Sequence, residues 1–147
     1  MKFPSETWFG ALRERADAKA DRFRRLGFAD ATVGIKIGAD DGFGEPDGYV
    51  LVFEGYTCKR VDHVERPEKS ADFVIEGAYG AWKEMIQNIR EHGEADLQHT
   101  LNVLTMPGVP LKLVAGDQLK EDLFYRYNQT FQEFFNGAAE VDTEFVA

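Results

Sequence analysis

Residues 71–97 read ADFVIEGAYGAWKEMIQNIREHGEADL. Phe73, Val74 and Ile75 form a short apolar run that passes through Gly77 and Gly80, and Trp82, Met85, Ile86 and Ile89 then follow at i, i+3, i+4 and i+7. The first run suits a strand, and the second spacing puts four large side chains on one helical face. Gly93 stands where that helix ends. A strand that feeds directly into an amphipathic helix predicts a sheet with helices packed on it.

The pattern extends in both directions. Upstream, Ser5 can cap a helix expected to reach about Leu26, with Trp8, Leu12, Ala16, Ala20 and Phe23 on one stripe and Gly27 at its end. Its other face mixes arginines and lysines with carboxylates, the pattern of a solvated surface. Val33, Ile35 and Ile37 alternate with Thr32, Gly34 and Lys36 as a half-buried strand does. A turn-rich loop from Asp40 to Gly48 leads to a second strand, Tyr49 to Phe53, and Gly55 allows a bend into a third through Thr57, Lys59, Val61 and His63.

Downstream, Leu97, Leu101 and Leu104 predict a second, shorter helix, and Leu111 to Ala115 a fifth strand. Asp117 can cap a long helix whose apolar face is Leu119, Leu123, Phe124, Tyr127, Phe131, Phe134 and Phe135, with Gly137 as its C-terminal cap. Residues 138–147 are expected to fray. The expectation is one α+β domain over residues 1–147, its core about 5–137, with a five-stranded, mainly antiparallel sheet covered by helices.

Composition sets the function classes. Hydrophobic residues make up 44% of the 147 and aromatics 13%, too apolar for disorder and too interrupted for a membrane span. The net charge of −9 opposes a phosphate backbone, so nucleic acid is set aside, and contact with anionic membranes is expected to be transient at most. Cys58 is the single cysteine, so no intramolecular disulfide can form, and no signal-peptide run follows Met1. These features suggest a cytoplasmic protein.

Catalytic and metal patterns are weak. His92 and His99 are seven apart with Gly93 between them, which does not put two ligands on one helical face, so no metal is expected. Cys58 and His63, five positions apart on one predicted strand, should face opposite ways and make no nucleophile–base pair. Gly42-Phe43-Gly44 leads into a strand, not a helix N-terminus, and so reads as a hairpin loop instead of a phosphate cradle. Asp40, Asp41 and Asp47 lack the alternation and closing Glu of a calcium loop. The remaining signal is apolar. The aromatic and Met positions of the later helices are either simply the core or the lining of a cavity.

Four of these segments together resemble a known family. Ala71-Asp72-Phe73-Val74-Ile75-Glu76-Gly77, Trp82 in a helix, Gly93 followed by Ala95-Asp96-Leu97, and Leu111-Lys112-Leu113-Val114-Ala115-Gly116-Asp117 before a Leu/Phe-rich helix resemble the sterol carrier protein type-two lipid-transfer domain. The resemblance covers roughly residues 71–135. It implies a sheet covered by helices around an apolar tunnel that takes a lipid, fatty acid, fatty acyl-CoA or sterol, with no catalytic residue and no cofactor. On that pattern Trp82, Met85, Ile86 and Ile89 line one wall, Leu97, Leu101 and Leu104 a second, and Phe124, Tyr127, Phe131 and Phe135 a lid. The link from His99 to Pro110, with Met106-Pro107-Gly108, is longer and stiffer than the family's usual one, so the mouth should differ in shape. The chain ends Glu144-Phe145-Val146-Ala147 without a Ser-Lys-Leu type tripeptide, which is the pattern of a free-standing cytoplasmic version.

Burial of a ten-carbon chain contributes about 8 kcal/mol gross, before the costs of ordering it, so affinity near the micromolar range is expected. Lys112 is read mainly as a solubilising strand lysine, with contact to a carboxylate or phosphate as the alternative. Two other functions stay open. One is a protein-interaction module that uses the Phe-rich last helix. The other is a small enzyme on an apolar substrate, with His92, His99, Asp96 or Tyr127 as acid/base candidates.

Overall fold

Ser5 begins the first helix as its sequence suggests: its Oγ accepts the Trp8 N–H at 3.0 Å. The computed structural model describes residues 1–40, 42–106 and 108–146. In chain order its elements are β1 (Lys2–Phe3), α1 (Glu6–Ala18), α2 (Ala20–Leu26), β2 (Ala31–Gly38), β3 (Asp47–Glu54), β4 (Thr57–His63), β5 (Phe73–Ala78), α3 (Tyr79–His92), α4 (Leu101–Leu104), β6 (Lys112–Ala115), α5 (Gln118–Asn136) and β7 (Glu144–Phe145). Among the described residues three 3-10 turns, Pro67–Lys69, Leu97–His99 and Gly137–Glu140, join them.

The main sheet has the order β4-β3-β2-β5-β6. All neighbours in it are antiparallel except β2 and β5, which run parallel. The five predicted strands and the α+β class are therefore all present. On the helix-facing side, Val33, Ile35 and Ile37 of β2 line up with Tyr49, Leu51 and Phe53 of β3 and with Phe73 and Ile75 of β5, all of them buried. The opposite side is partly covered by the Pro67–Lys69 turn. A Cβ on Gly48 would stand 2.6 Å from the Val64 carbonyl oxygen and 2.9 Å from Pro67 Cδ, so this strand position needs glycine for that turn to lie flat on the sheet.

Three local expectations need correction. The first helix breaks at Lys19, whose φ of −113° and ψ of 36° leave the helical region. The break re-phases the buried stripe, so Ala20 is exposed while Phe23 turns into the core. Gly137 is the C-cap of α5 as expected, its N–H donating to the Phe134 and Phe135 carbonyls, but at φ −57° it stays right-handed and the chain continues into a 3-10 turn. A Cβ there would meet Arg15 Cβ at 3.5 Å and Leu12 Cδ2 at 3.6 Å, ordinary van der Waals contacts, so the packing leaves room for a side chain at this cap.

Residues 138–146 are not a frayed tail. Ala138 and Val141 are buried, and β7 pairs in parallel with β1. The register of β3 and β4 also shifts between Val52 and Phe53. That bulge places Cys58 opposite Phe53 and His63 opposite Tyr49, so the two lie on the same face of the sheet and not on opposite ones.

Candidate functional site

The side chains proposed to line a tunnel come together between sheet and helices, with one exception. α3 starts directly after β5 and ends at Gly93, which has a φ of 85° and whose N–H reaches the Ile89 carbonyl at 2.8 Å. Its Trp82, Met85, Ile86 and Ile89 are fully buried, and the Trp82 indole N–H donates to the Lys36 carbonyl at 3.3 Å. Leu101, Leu104, Phe124, Phe131 and Phe135 are buried against them, and Tyr127 is half-buried beside Phe131.

Leu97 is the exception, at 80% exposure. Asp96 accepts the N–H groups of Gln98 at 3.0 Å and His99 at 3.1 Å and starts a 3-10 turn, and Thr100 is extended at φ −70° and ψ 150°. Leu97 and Leu101 therefore belong to two separate turns. The helical period that aligned them does not run through Thr100.

Aromatic rings fill the space between the layers. Phe53 and Phe131 have centroids 5.1 Å apart, Phe73 and Phe124 5.8 Å, and Trp82 and Phe135 5.8 Å, the spacings of packed rings. Phe124, Phe131, Phe134 and Phe135 all point inward, so the Phe-rich face of α5 is already used inside the fold and is not a free interface.

At the edge of this layer a cleft of about 420 Å³ opens between β6 and α5, under the link that follows α4. Its walls are Thr105, Met106, Gly108, Val109, Leu111, Lys112, Leu113, Glu121 and Tyr125. Leu111 is buried, and Val109 and Leu113 pack on the main core, so the cleft floor is continuous with the apolar interlayer. Met106 and Tyr125 stand half-exposed at its rim, and Leu119 is 79% exposed on the first turn of α5. Asp117 caps α5 as expected by accepting the Lys120 N–H at 2.9 Å. Pro107, the stiff centre of the expected mouth, lies outside the described residues. The volume falls within the range of about 300–1,000 Å³ typical of small-molecule sites.

Acid/base candidates are occupied elsewhere. Burial pushes the Cys58 thiol up to about 12, which leaves it protonated and a poor nucleophile. Although His63 shares its face, His63 is paired with Asp47, whose other carboxylate oxygen accepts the Tyr49 hydroxyl at 2.6 Å. Burial first, and then the bond to Asp47, raise the Tyr49 pKa. Asp40 accepts the Gly80 N–H at 3.0 Å and so caps α3 from a distance, while Phe43 stacks on Tyr79 at 4.8 Å. Asp41 lies outside the described residues.

His99 bonds Asp96 at 2.7 Å, and that contact, followed by the one from Asn88, lowers the Asp96 pKa. His99 borders a different hollow of about 490 Å³ beside α3, and His92 Nδ1 contacts the Asn88 carbonyl at 2.9 Å. Among the described residues no group of three or more His, Cys, Asp or Glu is placed to hold a metal ion.

No protein-family model matches the sequence, and no curated protein sequence matches it either. Solved structures do. A crystal structure of sterol carrier protein 2 superposes with a TM-score of 0.71 at 23% identity, covering 94% of this chain and 98% of that one. The chain has the sterol carrier protein 2 fold. The solution structure of a conserved hypothetical protein from Thermus thermophilus, named as a candidate sterol carrier protein, gives the same TM-score at 22% identity, covering 95% of this chain and 90% of that one. The resemblance found at residues 71–135 thus extends to the whole architecture. Among the described residues no helix is long and apolar enough to cross a membrane.

Proposed function

We propose that this protein is a non-catalytic lipid carrier that takes an acyl chain or sterol between its sheet and helices, loading through the β6–α5 cleft. The observation that carries this reading is that cleft, because its floor of Val109, Leu111 and Leu113 leads directly into the apolar interlayer of a sterol-carrier fold. A ligand would wedge between β6 and α5 and displace side chains such as Leu104, Leu111 and Phe124. Burial of its methylenes then offsets the lost packing, at about 0.8 kcal/mol each. The closed interlayer is the unloaded state in this view, since an empty apolar void of tunnel size would cost roughly 24 cal/mol per Å³. The cytoplasm is the setting we propose.

Native mass spectrometry of freshly purified protein, followed by solvent extraction, tests the reading. A stoichiometric acyl or sterol species supports it. A protein that arrives bare and stays bare after addition of fatty acids, phospholipids and sterols overturns it.

A further inference from the structure

Across the β6 edge from the cleft lies a hollow of a different kind. The sheet register sets Lys36 of β2 beside Glu76 of β5, and Glu76 beside Lys112 of β6. The three side chains share the face turned away from the helices, in the order cation, anion, cation. They border an open hollow of about 350 Å³ that Gly38, Pro46, Gly77 and Pro110 also line. Among the described residues neither lysine forms an ion pair, with Glu76 or with any other carboxylate. Two uncommitted ammonium groups against one carboxylate leave this hollow net positive on a chain of net charge −9. Lys112 is also a wall of the β6–α5 cleft, so the two cavities meet at a single strand edge.

We infer that the Lys36–Lys112 hollow is a subsite for an anionic headgroup. The ligand's apolar chain lies in the cleft, and its phosphate or carboxylate rounds the β6 edge to meet both lysines. This rests on the carrier reading and narrows its ligand to an acidic amphiphile, in preference to a neutral sterol. A charged contact suits the place, since lysine on a flexible stem binds phosphate as a point charge and needs no fixed fork geometry. Glu76 sits between the two cations and opposes an anion, so its removal must act with the opposite sign to theirs.

Calorimetric titration with three probes tests the inference: oleoyl lysophosphatidic acid, the uncharged monooleoylglycerol, and inorganic phosphate. The phosphate-headed amphiphile should bind about tenfold more tightly than the neutral one in low salt, with the difference shrinking as salt is added. Lys36→Gln and Lys112→Gln should each remove most of that preference, while Glu76→Gln should increase it. Monooleoylglycerol serves as the reference in every variant, because it carries no charge for either lysine to meet.

Equal affinity of the native protein for the two amphiphiles overturns the subsite, as does a set of variants in which the glutamate and lysine changes act in the same direction. Inorganic phosphate binding as tightly as the lysophosphatidic acid overturns its assignment to a lipid headgroup and makes it a free-anion site. Failure of both amphiphiles to bind overturns the carrier reading as well, which separates the two failures.

Discussion

The corner where the chain termini meet and the link between α3 and β6 are held in contrasting ways. At the corner, the Met1 ammonium donates to the Asp142 carbonyl at 2.8 Å, the Trp8 indole to Thr143 Oγ1 at 3.0 Å, and β1 pairs with β7. Arg90 reaches from α3 to the Ala138 carbonyl at 3.1 Å and to that of Val141. These bonds connect parts of the chain far apart in sequence.

In the link, Leu104 N–H bonds Thr100, Met106 N–H bonds Val103 and Leu111 N–H bonds Leu104, all within the segment itself. Among the described residues its hydrogen bonds to α5 run to two side chains, Gln132 accepting from the Leu101 N–H at 2.7 Å and Asn136 from the Ala95 N–H at 3.2 Å. Segments held mainly by local bonds open at lower free energy than segments held by long-range ones. On the proposed carrier reading, the firmer end is at the termini and the ligand enters beside the link.

The comparison breaks most visibly at its rigid end. Trp8→Ala removes a fully buried ring packed 4.6 Å from Phe3 and 5.0 Å from Phe9, and should cost about 3–5 kcal/mol in denaturant unfolding. An unchanged midpoint would mean the corner does not anchor the fold. Next in size is Arg90→Met, which keeps the apolar stem but loses both carbonyl bonds. It should cost about 2 kcal/mol and speed amide exchange over residues 138–146 while leaving 97–111 as before.

Gly77→Ala sharpens the other side. Its Cβ would stand 2.4 Å from Leu111 Cδ2 and 3.3 Å from the Pro110 carbonyl oxygen, pressing the end of the link away from the sheet. The expected cost is about 1–3 kcal/mol, with faster exchange at 104–113 and no change at the termini. Exchange that rises equally at both ends would erase the distinction between them.

The smallest effect is a pH dependence within the link. Asp96 has its carboxyl pKa lowered in the folded protein by His99 and Asn88. A depressed carboxylate adds stability that is present above its ordinary value of 3.8 and is lost as pH falls through the lower, folded value. Amides of Gln98 and His99 should therefore keep their protection on acidification to that ordinary value and lose it only below, whereas Asp96→Asn should show no such step.

The strands and the two long helices were legible because each rests on local chemistry. Alternation in Val33 to Ile37, the i, i+3, i+4 and i+7 spacing from Trp82 to Ile89, and the Ser5, Gly93 and Asp117 caps act over a few residues, and the structure shows every one of them. The misreadings are of another kind. Lys19 breaks a helix that its neighbours favour, Leu97 falls out of phase across Thr100, and the bulge after Val52 reverses the relation of Cys58 to His63. A period inferred from sequence continues through such points, while a change of one residue in a turn or ladder shifts every later side chain to another face.

The candidate site divides along the same line. By itself the sequence determined that Trp82, Met85, Ile86, Ile89, Phe124, Phe131 and Phe135 turn inward, since large side chains at helical spacing must find a common interior whatever their partners. Only the tertiary structure decided that this interior is filled by packed rings, that a cleft lies at the β6–α5 edge, and that Lys36 and Lys112 flank Glu76 on the far face of the sheet. Those facts depend on strand order and register between segments that lie as far apart as residues 36 and 112. No local propensity contains that pairing; it is settled when the whole core packs at once.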